Sequence, residues 1–287
     1  MAFVRSVGAT LEMIKWEHSV FALPFALTGA MLAAHGVPRI PTLAWIIVCM
    51  ITARAAAMAF NRWVDADLDA INPRTAMRAI PAGLLDRRFV GFFTTAMVIA
   101  FLLASAQLNR LTLLLSPAAL MIILFYSYTK RFTRWSHLFL GLALSVAPAA
   151  AWIAVRGALD ARILVLTGAV LFWVAGFDVL YACQDAGHDK ATGLNSLPQA
   201  WGVVAAFWIA RAMHVIMLAL LIWLIHIFAL GWASRLGLVA VAALLLYEHL
   251  IVSPRDLRRL NAAFFTLNGM ISILFFVSVA TDLLLHR

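Results

Sequence analysis

The sequence predicts an all-α, polytopic membrane protein with about nine transmembrane helices in a single bundle, the N-terminus cytoplasmic and residues 1–287 forming one domain. Three observations carry this expectation. Of 287 residues, 64% are hydrophobic and 12% charged, about half the charged share of a soluble domain, so polar side chains are too few to cover a water-exposed fold. Apolar stretches near the roughly 20 residues needed to cross the hydrocarbon recur along the chain, and lipid offers no partner to backbone groups outside a helix or a closed barrel. The connections are also unequal: most are brief, whereas 61–88 and 185–199 are long and polar.

In chain order, residues 10–18 read as a short interfacial helix. Glu12, Lys15, Glu17 and His18 interrupt its apolar character, so this start is expected to be retained and not cleaved as a signal peptide. Residues 20–34 form the first crossing, marked near its start by Pro24 and followed by turn residues Gly36, Pro38 and Pro41. Residues 43–60 run directly into the polar Asn61. After the first long loop come 89–107 and 111–126, divided around Arg110, then 138–155 and 163–183, divided around Arg156 and Arg162. The second long loop leads to 203–230, 236–250 and 262–285.

Lys and Arg sort by side. Fourteen fall in one set of connections: Arg5 and Lys15, the 61–88 loop, Lys130, Arg131 and Arg134, Lys190, and Arg255, Arg258 and Arg259. Six fall in the other: Arg39, Arg110, Arg156, Arg162, Arg235 and Arg287. The positive-inside rule therefore predicts a multi-pass protein of the cell inner (plasma) membrane with both long loops cytoplasmic. The net charge of +9 does not point to nucleic acid, because the basic residues are strung singly and form no stripe beside stacking aromatics. Membrane lipids and an anionic substrate are the expected recipients. Cys49 and Cys183 lack a Cys-x-x-Cys spacing and indicate neither a disulfide framework nor a thiolate metal site.

The first long loop opens with Asn61-Arg62-Trp63-Val64-Asp65-Ala66-Asp67-Leu68-Asp69. If the preceding helix persists, Asp65 and Asp69 share a face with Asn61. Three close carboxylates at a membrane edge need positive compensation. Mg²⁺ suits them, since it commonly uses one or two carboxylates together with substrate phosphate oxygens. Asn72, Arg74, Arg78, Arg87 and Arg88 offer charge-assisted bonds to the same phosphates.

The second loop repeats the arrangement. Asp178, Tyr181, Asp185 and Asp189 fall on one helical face provided Gly187 does not break the helix. Asp178 lies just inside an apolar segment, where a carboxylate is expensive and usually functional. Two carboxylate clusters on one membrane face suggest a pair of Mg²⁺ sites gripping one diphosphate, whose neutralisation makes it a leaving group. Tyr181 either bonds to a carboxylate or phosphate oxygen or serves as an interfacial tyrosine. Lys190 is better placed than His188 to meet phosphate.

Lys130 and Arg131 either touch the diphosphate or an aromatic carboxylate, or simply obey the positive-inside rule. Arg54, inside an apolar segment, either meets a substrate anion, such as a carboxylate on a group that accepts the transfer from the diphosphate, or snorkels to the interface. Glu17 and His18 are candidates to orient such an acceptor. A transporter is the competing class, but it needs charges near mid-membrane, and here they cluster at one face.

The whole pattern resembles the UbiA superfamily of intramembrane aromatic prenyltransferases. The likeness rests on Asn61, Asp65 and Asp69 with the following Asn72-Pro73-Arg74-Thr75-Ala76-Met77-Arg78-Ala79-Ile80-Pro81-Ala82-Gly83, and on Asp178-x-x-Tyr181-x-x-x-Asp185-x-x-x-Asp189. The opening from Glu12 to Phe25 is similar to the 4-hydroxybenzoate polyprenyltransferase branch. The resemblance implies that Asp65, Asp69, Asp185 and Asp189 bind Mg²⁺ and a polyprenyl diphosphate, and that the prenyl group joins a hydroxylated aromatic carboxylate ortho to its hydroxyl. Asp178 then either contacts metal or orients and deprotonates the acceptor. Many members carry Asp directly after the first motif Asn. This chain has Arg62 there, with Asp67 as an extra carboxylate nearby. Arg62, the Asn-Pro-Arg-Thr-Ala run and Ser196-Leu197-Pro198 also resemble a branch that prenylates 1,4-dihydroxy-6-naphthoate in an alternative menaquinone route.

Overall fold

The computed structural model describes residues 2–14, 19–257, 260 and 266–285. Its helices are α1 (Ala2–Ile14), α2 (Ser19–Ala34), α3 (Ile40–Val64), α4 (Ala66–Ile71), α5 (Arg87–Ala106), α6 (Arg110–Thr129), α7 (Ser136–Arg156), α8 (Ile163–Ala182), α9 (Ala186–Thr192), α10 (Leu197–Ile227), α11 (Trp232–Ile251) and α12 (Asn268–Leu285). Among the described residues, eight helical segments are long and apolar enough to cross a membrane, and Phe21–Ala34 is apolar but shorter. The expected nine crossings thus all have a helical counterpart, and the protein is a multi-pass membrane protein.

α2 has 16 residues, about 24 Å at 1.5 Å per residue, short for a hydrocarbon core of roughly 30 Å. It is sheltered by neighbours: Phe25, Ala26, Ala30 and Leu32 are at most 1% exposed. Gly29 lets the Pro148 carbonyl of α7 come so close that a Cβ would overlap it. Phe25 packs on Trp173 and Phe275 at centroid distances of 5.0 and 5.9 Å. α8 is apolar around its circumference except near Asp178 and sits at the centre, with Trp173, Val174, Ala175 and Val179 fully buried. Such a nearly all-round apolar helix belongs inside a bundle.

Several boundaries differ from the sequence expectation. The described part of the first helix is Ala2–Ile14, earlier than 10–18, and Lys15, Glu17 and His18 lie outside the described residues. The second crossing continues past residue 60 to Val64, because nothing in Asn61-Arg62-Trp63-Val64 stops the helical pitch. α10 begins at Leu197, but Gly202 leaves helical geometry at φ 83°, so its straight part starts at 203 as expected. The expected start of the last crossing, 262, lies outside the described residues.

Local chemistry fixes several helix ends. Asp86 accepts a bond from the Arg88 amide at 2.6 Å to start α5, and Asn109 accepts from Thr112 at 2.9 Å to start α6. α11 opens at Gly231, which brings no side-chain cap. Asp282 of α12, 2% exposed, supplies one by accepting from the Ala233 and Ser234 amides at 3.2 and 2.8 Å. Asp282→Ala is therefore expected to lower stability by about 1–2 kcal/mol. A thermal midpoint in detergent equal to that of the wild type would remove Asp282 from this role.

Candidate active site at one end of the bundle

The first carboxylate row is built at a helix break. Asp65 has φ −93° and ψ 5°, closing α3 and preceding α4. The backbone ladder nevertheless passes through it, with Asp65 N donating to Asn61 O at 2.9 Å and Asp69 N to Asp65 O at 2.7 Å. Asn61, Asp65 and Asp69 are thereby stacked at four-residue steps. The Asn61 amide also donates to Asp65 Oδ2 at 2.9 Å. The loop folds back over this row: Thr75, 3% exposed, donates to the Asp69 carbonyl at 3.0 Å.

The second row changes pitch at Cys183–Asp185, a 3₁₀ turn between α8 and α9, while Gly187 lies inside α9. The break is thus four residues before the position suspected from composition. Asp185 and Asp189 are 7% and 2% exposed.

Three arginines stitch the carboxylates together. Arg74 reaches the second row, donating from Nε and Nη2 to Asp185 at 2.8 and 2.5 Å, and from Nη1 to the Tyr181 hydroxyl at 3.1 Å. Arg78 meets Asp69 at 2.6 Å. Arg131 meets Asp65 at 2.9 Å and the Val64 carbonyl at 3.1 Å. Burial raises the Asp65 carboxyl above its usual range, Arg131 opposes that, and Asp69 adds to it. Burial works against the Arg74 guanidinium, yet its bonds to Asp185 and Tyr181 hold it above its ordinary value.

These groups form the mouth of a cavity of about 1050 Å³. Its walls include Asn61, Arg54, Lys130, Asp178 and His188 as well as the carboxylates and their arginines. Beyond the mouth it is lined by apolar residues of α3, α5, α6 and α7, among them Met50, Phe101, Leu115, Ile122 and Ala147. It reaches Ile46, roughly 28 Å from Asp65 at 1.5 Å of rise per residue. The carboxylates and their arginines converge at one end of a long, mainly apolar space.

Four expected contributors, Asp67, Arg87, Arg88 and Lys190, fall outside the cavity lining. Asp67 is 82% exposed on its side chain and pairs with Arg87 at 3.2 Å, outside the cavity. It does not add a carboxylate to the row, because it is about 200° around the helix from Asp65 and Asp69. Lys190 is exposed and does not line the cavity, whereas His188 does; Asp185, His188 and Asp189 share the inner face of that turn. The structure also brings in a residue that the sequence reading passed over. His137, fully buried at the start of α7, lies 2.7 Å from Asp178 through Nδ1.

Among the described residues, no three His, Cys, Asp or Glu side chains converge into a protein-only metal cage. However, Asp69 Oδ2 and Asp189 Oδ2 are buried without a hydrogen-bond partner, and both residues line the cavity. Buried carboxylate oxygens are costly unless something positive meets them. A hard cation shared with a ligand's phosphate oxygens fits this donor set better than one held by protein alone.

Residues 22–276 match the model of the UbiA prenyltransferase family. A 4-hydroxybenzoate octaprenyltransferase of Nitrosospira multiformis is 29% identical over 260 residues, covering 91% of this chain and 89% of that protein. A UbiA homolog from Aeropyrum pernix K1, solved in its apo form, is 30% identical with a TM-score of 0.85, covering 93% of this chain and 98% of that one. A UbiA homolog from Archaeoglobus fulgidus, solved with GPP and Mg²⁺, has the same fold at 19% identity, TM-score 0.71, covering 96% and 99%. The matched span takes in both carboxylate rows and every helix from α3 to α11, so this chain belongs to the UbiA prenyltransferase family.

Proposed function

We propose that the protein is a Mg²⁺-dependent aromatic polyprenyltransferase. It moves a polyprenyl group from its diphosphate to the ring of 4-hydroxybenzoate, in ubiquinone biosynthesis. The observation that carries this reading is the junction of two carboxylate rows and their arginines with a long apolar cavity. The polar end suits a diphosphate and the apolar end an isoprenoid chain. The names of the relatives and the GPP and Mg²⁺ bound by a structural neighbour support the same substrate chemistry.

Asp65, Asp69, Asp185 and Asp189 are read as the metal ligands. When bound, Mg²⁺ neutralises the diphosphate so that it departs with the electron pair of the allylic C–O bond. Arg74, Arg78, Arg131 and Lys130, with Asn61 and Tyr181, hold the phosphate oxygens through charge-assisted bonds. Arg54, deeper in α3 and facing the cavity, takes the acceptor's carboxylate. The apolar walls keep water from the electrophilic carbon until the ring attacks. The chain acts as one domain, with both loops on the cytoplasmic side of the plasma membrane, as the distribution of Lys and Arg favours.

The test is product formation by purified protein in lipid, with and without Mg²⁺, using a long prenyl diphosphate and either 4-hydroxybenzoate or 1,4-dihydroxy-6-naphthoate. Prenylated 4-hydroxybenzoate is expected, and chelation should remove it. Arg62, which donates to the Asn61 side chain at 3.1 Å, favours the naphthoate together with the Asn-Pro-Arg-Thr-Ala run and Ser196-Leu197-Pro198. Product from that acceptor alone would reassign the branch. A folded protein that prenylates neither acceptor would overturn the proposal.

A further inference from the structure

We propose that His137 is a positioning residue that holds Asp178 in place to receive the ring proton, a role that rests on the prenyl-transfer reading above. His137 is fully buried in the first turn of α7. Its Nδ1 lies 2.7 Å from Asp178 Oδ2 on α8. From its other side, the Leu197 backbone N–H donates to Nε2 at 3.4 Å. Leu197 is the first residue of α10, and its amide has no partner within its own helix.

That amide fixes the tautomer. A backbone N–H only donates, so Nε2 is the acceptor and the imidazole proton sits on Nδ1, directed at Asp178. A doubly protonated ring would set two donors against each other at Leu197. The segment carrying this amide is itself fastened, since Asn195 N donates to the Lys130 carbonyl at 2.8 Å. One imidazole thus links α7, α8 and the start of α10. The order is amide, imidazole, carboxylate, cavity, the reverse of a serine-protease relay, in which the imidazole meets the substrate and the carboxylate lies behind it.

Asp178 lines the cavity with its side chain 14% exposed. With Oδ2 held by His137, Oδ1 is the oxygen left for the acceptor. As the allylic C–O bond breaks, its electron pair leaves on the diphosphate. The ring carbon ortho to the hydroxyl then bonds to the prenyl C1 and still carries its hydrogen. That hydrogen passes as a proton to Asp178 Oδ1, and the C–H electron pair restores aromaticity. A carboxylate free to rotate would meet this proton only part of the time, and a misplacement of about 1 Å costs on the order of a hundredfold in rate.

Two substitutions separate the two nitrogens. His137→Asn keeps a donor near the position of Nδ1 and gives up the acceptor for Leu197. His137→Gln keeps an acceptor near Nε2 and gives up the donor to Asp178. Full-length protein in lipid is assayed with acceptor bearing hydrogen or deuterium at the positions ortho to the hydroxyl, and prenyl diphosphate binding is measured alongside. H137Q is expected to lose on the order of a hundredfold in kcat with KM for the prenyl diphosphate unchanged. It should also show a primary deuterium isotope effect larger than that of the wild type, because ring-proton loss has become slow. H137N should recover to within about tenfold of the wild type. H137Q turning over like the wild type, or H137N falling as far as H137Q with no added isotope effect, overturns the role and leaves His137 as a structural tie. A wild type that prenylates no aromatic acceptor overturns the underlying reading, and this role with it.

Discussion

Asp65→Asn and Asp185→Asn are each expected to reduce prenyl transfer by on the order of a thousandfold while the protein stays folded. The loss corresponds to about 4 kcal/mol of barrier at about 1.4 kcal/mol per tenfold, a fair share of what Lewis-acid neutralisation of a leaving group supplies. Asparagine keeps the shape and one oxygen of each side chain but removes the charge that a hard cation needs. Folding should survive, because both positions lie at helix junctions beside the cavity mouth and not in the packed centre around α8. Asp67→Asn is the internal control: it is exposed and outside the cavity, so its turnover should match the wild type within about twofold, as expected of a surface change worth within about 0.5 kcal/mol. Labelled prenyl diphosphate and quantified product decide the matter. If all three variants turned over alike, the metal role of the two rows would be lost.

The contrast between Asp65 and Asp67 shows what the sequence carried and what it did not. Long apolar stretches announced the helices because lipid admits few other backbones, and four-residue spacing announced Asp65, Asp69, Asp185 and Asp189 because a helix aligns such positions. Asp67 and Lys190 misled because nearness along the chain is not nearness in space; a helix turns about 100° per residue, which carries both away from the cavity. Gly187 was a plausible breaker by propensity, yet it stayed helical and the pitch changed at Cys183–Asp185 instead. His137 stood in plain view at the edge of an apolar stretch, but directly after Lys130, Arg131 and Arg134 it read as one more basic residue of a connection. Its partner is 41 positions away, and no local spacing encodes that meeting. The same holds for Arg74 and Asp185, which are 111 positions apart.

That long-range pair supports the second large effect. Arg74 occupies both oxygens of Asp185, so a cation held there would compete with the arginine for one carboxylate. Binding of a metal diphosphate resolves the competition if the arginine moves to phosphate as the carboxylate turns to metal, with charge conserved at each. Arg74→Ala should therefore act in opposite directions on the two ligands. Prenyl diphosphate is expected to bind about 10- to 100-fold more weakly, since one charge-assisted contact of about 1.5–3 kcal/mol is gone. Mg²⁺ alone should bind more tightly than to the wild type, because Asp185 is left as a nearly buried charge seeking compensation. Arg74→Lys should fall between, as a point charge cannot reproduce the two-pronged grip. Titration calorimetry of each variant with Mg²⁺, and then with the diphosphate, reads both signs. Weakened diphosphate binding with unchanged Mg²⁺ affinity would mean that Arg74 holds phosphate without guarding the carboxylate, and the exchange between carboxylate and phosphate would have to be abandoned.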